Sequence, residues 1–319
     1  MERSHSAYHR LIDSARSPQG EAPFAAVAHP CSRSAIEAAA SAWAEGLIRP
    51  ILVGPPERIA AAAADAGVDL APFRIIAAPH SHAAAEEAVA MIHRGEAKLL
   101  MKGSLHTDEL MKAVLPRAGG LRTERRISHC YVMDVEGYPA PLIITDAAIN
   151  IAPTLLDKAD IVRNAIDLAH VIGMAEPRVA ILSAVEVVNP AIQSTLDAAA
   201  LCKMADRAQI TGGLLEGPLA FDNAVSPDAA RDKGIVSPVA GAAQILVVPN
   251  LEAGNMLAKQ LTFLGGADAA GIVLGARVPI VLTSRADSVR TRLASCAVAA
   301  LLARAAPKAA PGLQQVPLP

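Results

Sequence analysis

The chain has 319 residues, 52% of them apolar, and a formal net charge of −2, which is enough length and apolar content to bury a large core without staples. With no Lys/Arg run longer than Arg125-Arg126 and only one Trp, three Tyr and four Phe, it lacks the charge and the stacking surfaces of a nucleic-acid binder. Four scattered cysteines without a CxxC pair, no signal-peptide core at the N-terminus, and a longest apolar run (293–303, broken at Ser295) too short for a bilayer point to a soluble, cytoplasmic protein with reduced thiols.

From Phe24 onward, short β-rich runs alternate with Ala-rich segments of helical period, the pattern of an α/β protein with a mostly parallel sheet. A strand at 24–28 leads to a helix opened by the capping box Ser34-Ala-Ile-Glu37, with Ile36, Ala39, Ala40, Trp43 and Leu47 on one face and Gly46 as its stop. Strands at 51–54, 73–77 and 99–102 alternate with helices at 57–66, 82–94 and 107–115. Strands at 127–135 and 142–145 follow, then a helix at 153–172, a strand at 179–183, a helix at 190–206, a strand at 245–248 and a helix at 251–264. Strands at 271–274 and 279–283 precede a last helix at 286–304. The tail 305–319, with Pro307, Pro311, Pro317 and Pro319, has no apolar period and is expected to be mobile. No charged or Gly/Ser-rich linker divides the rest, so two domains would share closely spaced crossover strands, with the site in the cleft between them.

The chain contains no G-x-G-x-x-G after a strand, no G-x-x-x-x-G-K-[ST] and no G-x-S-x-G. Functional residues are therefore sought at strand ends, where open α/β sheets place their ligands. Lys102-Gly103-Ser104-Leu-His106-Thr107 combines a cation, a flexible backbone and hydroxyls ahead of a helix, so it is either an anion loop or a turn in which Ser104 or Thr107 caps. Thr145-Asp146 ends another strand, where Asp146 holds a polar substrate group or caps the next segment. Asn223, after Gly217-Pro218, and Asn255, after Gly254, sit in stretches that either admit a ligand or merely turn the chain. Ser128 points into whichever face its strand buries. His80, His82, His106 and His129 have no carboxylates or cysteines at metal-ligand spacing, so no metal site is expected.

Ser284-Arg285 is the most informative step. It ends the apolar run 278–283 and precedes fresh helix amides, a combination suited to an anion, with phosphate the first candidate. Ser284 and Asp287 also fit a capping box. An Arg at the second position opposes the helix dipole, which an anion partner explains.

Six segments in unbroken order resemble the phosphate acetyltransferase/phosphate butyryltransferase family: Met101-Lys-Gly-Ser-Leu-His-Thr107, Leu142-Ile-Ile-Thr-Asp-Ala-Ala-Ile-Asn-Ile-Ala-Pro153, Val185-Glu-Val-Val-Asn-Pro190, Gly217-Pro-Leu-Ala-Phe-Asp-Asn-Ala-Val-Ser226, Ser237-Pro-Val-Ala-Gly241 and Pro279-Ile-Val-Leu-Thr-Ser-Arg-Ala-Asp-Ser288. The resemblance is nearest to the butyryltransferase-like branch and to the acyltransferase module that follows an enoyl-CoA hydratase domain in some bifunctional proteins; that hydratase part is absent here. It implies two isocitrate/isopropylmalate dehydrogenase-like α/β domains with the site in their cleft, expected at 1–146 plus 275–319 and at 147–274. It also implies a homodimer, no metal, no tightly held cofactor, and CoA or acyl-CoA as substrate.

The implied reaction is reversible: a CoA thiolate attacks an acyl phosphate in a ternary complex and phosphate leaves, with no acyl-enzyme. By the same resemblance Arg285 clamps phosphate, Ser284 bonds a phosphoryl or carbonyl oxygen, and Ser128 matches a substrate-contacting serine. Lys102, Gly103, Ser104, Thr145, Asp146, Asn223 and Asn255 are expected to line the substrates. Asp287 stands in for the family's thiol base, but only two residues after Arg285, and positions 289–293 hold no carboxylate. The rival readings are a metal- and NAD-dependent 2-hydroxy-acid dehydrogenase of the same fold and a non-catalytic protein that binds CoA or acyl phosphate.

Overall fold

The structure is a computed structural model and describes residues 6–18, 21–283 and 287–305. The strands are β1 (Phe24–Ala28), β2 (Arg49–Gly54), β3 (Arg74–Ala77), β4 (Leu99–Lys102), β5 (Ser128–Asp134), β6 (Leu142–Thr145), β7 (Arg178–Leu182), β8 (Leu214–Leu219), β9 (Ile245–Val247), β10 (Asp268–Leu274) and β11 (Ile280–Val281). The helices are α1 (Ser6–Ala15), α2 (Arg33–Ala44), α3 (Pro56–Ala66), α4 (Ser81–His93), α5 (Thr107–Val114), α6 (Leu155–Val171), α7 (Gln193–Asp206), α8 (Phe221–Val225), α9 (Pro227–Asp232), α10 (Leu251–Phe263) and α11 (Val289–Ala305).

All described strands join one sheet in the order β3-β2-β1-β4-β11-β10-β5-β6-β9-β7-β8. Pairing is parallel except at β11–β10, β10–β5 and β5–β6, so the sheet is mostly parallel, as its alternating pattern predicts. Strands such as β4 and β6 are buried at every position because helices cover both faces. One face carries α2, α3, α6, α7 and α11. The other carries α4 and α5 over β1, β2 and β4, and α8 and α10 over β6, β7 and β9. Alanines at the contacts, among them Ala84, Ala85 and Ala88 on α4 and Ala297 and Ala300 on α11, let the helices approach the sheet closely.

The three antiparallel pairings reverse strand direction across the middle of the sheet. One register row runs Val27, Met101, Val281, Ile272, Cys130, Thr145, Val247, Ile181. β1, β4 and β11 reach this row from one side, and β6, β7 and β9 reach it from the other. Each ends on the row or one residue beyond it, so the carboxyl ends of two opposed sets of parallel strands meet near one line.

Several sequence expectations are corrected. α2 begins at Arg33 with Ser32 in the N-cap position, and Glu37 pairs with Arg33, so Ser34-Glu37 does not form the capping box; a helix start two residues earlier than expected puts both residues inside the helix. Trp43 is half-exposed, stacked edge-on against Phe73, while Ile36, Ala39 and Leu47 of the same predicted face are buried. Strand β8 and helices α1, α8 and α9 lie in stretches for which no element is predicted. α11 starts at Val289, where the Ser288 hydroxyl accepts the Thr291 N–H at 3.1 Å, so Ser288 and not Ser284 caps it. The predicted tail lies outside the described residues apart from Ala305, which closes α11.

Candidate active site

At the carboxyl end of β4, Gly103 passes directly over the end of β1. Its N–H donates to Ala28 O at 2.9 Å, and the Ser104 N–H donates to His29 O at 2.8 Å. A Cβ on Gly103 would lie 2.4 Å from Ala28 O and 2.6 Å from His29 O, so glycine is required here for space. His29 has a φ of 53°, and its Nδ1 donates to Ser104 O at 3.2 Å; a carbonyl can only accept, which fixes that tautomer. The loop is thus held at both ends.

Around it, the Lys102 ammonium donates to Thr283 O at 3.2 Å and the Ser104 hydroxyl donates to Ser32 Oγ at 2.6 Å. A cavity of about 290 Å³ is lined by Ser32, Ser34, Lys102, Gly103, Ser104, Thr283 and Arg292. A neighbouring one of about 330 Å³ shares Lys102 and Thr283 and reaches Tyr131 and His106. Ser284 and Arg285, the predicted phosphate clamp, lie outside the described residues; Thr283 and Asp287, which bracket them, are described. Asp287 is half-buried and acts electrostatically on two neighbours: it opposes the fall in Arg292 basicity caused by burial, and it adds to the burial that pushes the Tyr131 hydroxyl up to about 12.

Four other predicted residues are held by bonds within the chain. The Asp146 carboxylate accepts the N–H groups of Ala148, Ile149 and Asn150 and the Asn150 side-chain amide, which is the cap of the two roles left open in the sequence. The Thr145 hydroxyl donates to His129 O at 2.9 Å. Ser128 Oγ accepts from Asn164 Nδ2 at 2.9 Å, and Asn255 Nδ2 donates to Ala147 O at 3.1 Å. Four strand steps of about 4.8 Å separate β4 from β6, so this corner stands roughly 19 Å along the row from Lys102. Asn223 is fully buried, and among the described residues neither atom of its amide has a hydrogen-bond partner; it lines neither cavity at Lys102.

Arg292, Ser32 and Tyr131 are lining residues that the sequence reading did not single out, and Ser34, expected only as a helix cap, lines the cavity as well. The one signal for Arg292 is its place on the stripe Arg292, Cys296, Ala299, Ala303, which is apolar apart from it. The thiols are poor nucleophiles: burial pushes Cys130, Cys202 and Cys296 up to about 12 and raises Cys31 as well, so each stays protonated at neutral pH.

His129, fully buried beside Tyr131, gives a testable pH dependence. Burial pushes its basicity down to about 4, with the Asp146 charge acting in the opposite direction. Between that value and the ordinary 6.5 the unfolded chain binds the proton and the folded one does not, so stability is intact above pH 6.5 and is lost as pH falls toward 4. The loss attributable to this residue is at most about 3 kcal/mol. Urea unfolding of His129→Gln across that window should show a shallower decline than wild type; equal slopes would remove His129 as the cause.

Fold and cavity together define an α/β protein that gathers buried cations and hydroxyls at the ends of parallel strands. Residues 82–300 match the family model described as phosphate acetyl/butaryl transferase, and the chain belongs to that family. It is 67% identical over 299 residues to a phosphate acetyltransferase of Rhizobium meliloti, covering 93% of this chain and 94% of the relative. It is 44% identical over 268 residues to a phosphate butyryltransferase of Clostridium acetobutylicum, covering 84% and 89%. Among solved structures it is similar to a branched-chain phosphotransacylase from Enterococcus faecalis V583, with a TM-score of 0.78, 29% identity, and coverage of 88% of this chain and 99% of that one.

Proposed function

We propose that this chain is a phosphate acyltransferase that moves a short acyl group reversibly between CoA and inorganic phosphate. The observation that carries the reading is the clamped Lys102-Gly103-Ser104 loop beside Thr283, the residue immediately before Ser284-Arg285, in a member of this family. CoA is a substrate here, with no tightly held cofactor.

In the acyl-phosphate direction the CoA sulfur attacks the acyl carbonyl carbon. The C–S bond forms, the C–O bond to phosphate breaks, and phosphate leaves with that electron pair. Lys102 and Arg285 oppose the negative charge on the phosphoryl oxygens, while Ser284, and Ser104 once its hydroxyl turns from Ser32 Oγ to the substrate, supply hydrogen bonds that orient them. Asp287, next to that segment, takes the thiol proton; because a free thiol is already a few per cent ionised near neutrality, the base has little to supply. The high pKa values of the cysteines favour direct transfer over an acyl-enzyme.

The proposed assembly is a cytoplasmic homodimer. Each protomer divides at 146/147 and 274/275 into two lobes, 1–146 plus 275–319 and 147–274, with the substrates in the cleft. Thr145, Asp146 and Ser128 shape the floor of that cleft, and Asn223 and Asn255 belong to its second wall. Relatives of both acetyl and butyryl name leave the chain length to the assay.

Release of free CoA from acetyl-, propionyl- and butyryl-CoA, with and without phosphate, tests the reaction. Wild type should release CoA only when phosphate is present, and Arg285→Ala should lose about 10²- to 10³-fold in kcat/KM with folding intact. Absence of phosphate-dependent release with every acyl-CoA would remove the proposed activity.

A further inference from the structure

The two cavities at Lys102 differ in chemistry. The one of about 290 Å³ is lined chiefly by hydroxyls and cations. The one of about 330 Å³ shares Lys102 and Thr283, reaches His106 and Thr107, and is otherwise walled by Leu105, Leu282 and the Tyr131 ring. Leu105 and Leu282 are part of the core under α4 and α5, so this space joins polar groups to an apolar wall.

The Tyr131 ring is held in place. It is half-buried on β5 and stands opposite Gly271 in the β10–β5 ladder. A Cβ on Gly271 would lie 3.4 Å from Tyr131 Cε1 and 3.2 Å from His129 Nε2, so the bare glycine lets both rings lie down across β10. The His129 ring, fully buried, packs edge-on against Tyr131 with centroids 4.5 Å apart. Packing this close does not let an aromatic ring swing aside at low cost. The Asp287 charge acts on the Tyr131 hydroxyl, which places that end of the ring near the chain that follows Ser284-Arg285.

An acyl phosphate carries its carbonyl carbon one oxygen away from phosphorus and its alkyl tail beyond that. With the phosphoryl group opposed by Lys102 and Arg285, the tail needs apolar surface next to Lys102 and Thr283, and Leu105, Leu282 and Tyr131 supply it. We infer that Tyr131 closes the acyl end of the site and sets the chain length, so that acetyl is preferred to butyryl. Naming the acyl group rests on the acyltransferase reading.

The test is kcat/KM for acetyl-, propionyl- and butyryl-CoA at saturating phosphate in wild type, Tyr131→Ala and Tyr131→Phe. A readout independent of turnover is the dissociation constant for the phosphonates in which a CH2 group replaces the bridging oxygen of acetyl phosphate and of butyryl phosphate. One methylene in a closed apolar pocket changes discrimination by about 10-fold or more, and wild type is expected to favour acetyl over butyryl by at least that factor. Tyr131→Ala should raise the butyryl-to-acetyl ratio by about 10- to 200-fold, whereas Tyr131→Phe, which keeps the ring, should leave the ratio where it is.

An unchanged ratio in folded Tyr131→Ala, or a wild type that prefers butyryl, would overturn the inference while leaving the activity standing. So would a ratio that moves as far in Tyr131→Phe, because the hydroxyl and not the ring would then discriminate. Equal rises in KM for every acyl-CoA also overturn it, since the pantetheine arm and not the tail would lie against the ring. In a wild type without turnover, a phosphonate preference that shifts on Tyr131→Ala upholds the wall and overturns the activity; no shift overturns both. Should Tyr131→Ala fail to fold, Tyr131→Leu still fills the floor but shortens the wall, and is expected to shift the same ratio by about 10-fold; no shift there overturns the inference.

Discussion

Gly103→Ala is expected to abolish measurable turnover and to destabilise the protein by more than 3 kcal/mol, above the usual cost of an added core methyl group. The added methyl would sit 2.4 Å from Ala28 O, 2.6 Å from His29 O and 2.8 Å from His29 C. All three are backbone atoms at the end of a central strand, so no side chain can swing aside. Relief requires β1 and β4 to separate, which breaks the Gly103 and Ser104 N–H bonds and moves Lys102 and Ser104 together. A displacement of about 1 Å at such groups costs on the order of 10²-fold in rate. Urea midpoints and kcat/KM on the same preparation check both parts; a variant with native midpoint and native rate would mean that the loop tolerates a shift its contacts forbid.

Lys158→Met should lower stability by about 3–5 kcal/mol with no loss of specific activity in the folded fraction. Lys158 on α6 donates to Asp197 Oδ2 on α7 at 2.6 Å, with side-chain exposures of 5% and 8%. Removing the ammonium leaves a buried carboxylate whose other oxygen still accepts from Gln193 Nε2 at 2.9 Å. That one amide bond does not compensate for lost hydration. Changing Asp197 to Leu as well should restore most of the loss, because the pair as a whole contributes far less than either member contributes to keeping the other buried. Neither residue lines the cavities at Lys102. Equal stability of Lys158→Met and wild type would show that water reaches Asp197.

Strands with Val, Ile and Leu in unbroken runs were legible because their composition and burial agree. β8 was not: Leu-Leu-Glu-Gly-Pro-Leu reads as a turn, and a proline within a strand is accommodated because β8 is the last strand of the sheet, where ladder donors on one side are unused. α1 was missed because its one apolar stripe, Tyr8, Leu11, Ile12 and Ala15, is short and acquires meaning only from the core it packs against. The α2 cap was misplaced by two residues because Ser32 and Ser34 are both chemically able to cap, and the path of the chain after His29 decides between them.

At the candidate site, the cation-glycine-hydroxyl series at 102–104 announces itself by residue type. The engagement of Thr145, Asp146 and Ser128 does not, since their partners lie 16, 4 and 36 residues away. The apolar stripe that Arg292 shares with Cys296, Ala299 and Ala303 hints at burial, but only the packing of α11 puts it beside the cavity.

The position of β11 has a consequence for biosynthesis. This two-residue strand is the piece between β4 and β10 at the centre of the sheet, and Lys102 meets Thr283 across 181 residues of chain. On the ribosome, everything through β10 emerges while β4 still has an open edge and Lys102 has no Thr283 carbonyl to bond. Loop closure over such a span is slow, and an open hydrophobic edge invites wrong pairing meanwhile. The half of the cavity built from Ser32 and the 102–104 loop can form early, but the half supplied by Thr283 and Arg292 waits for the last segment of chain to emerge.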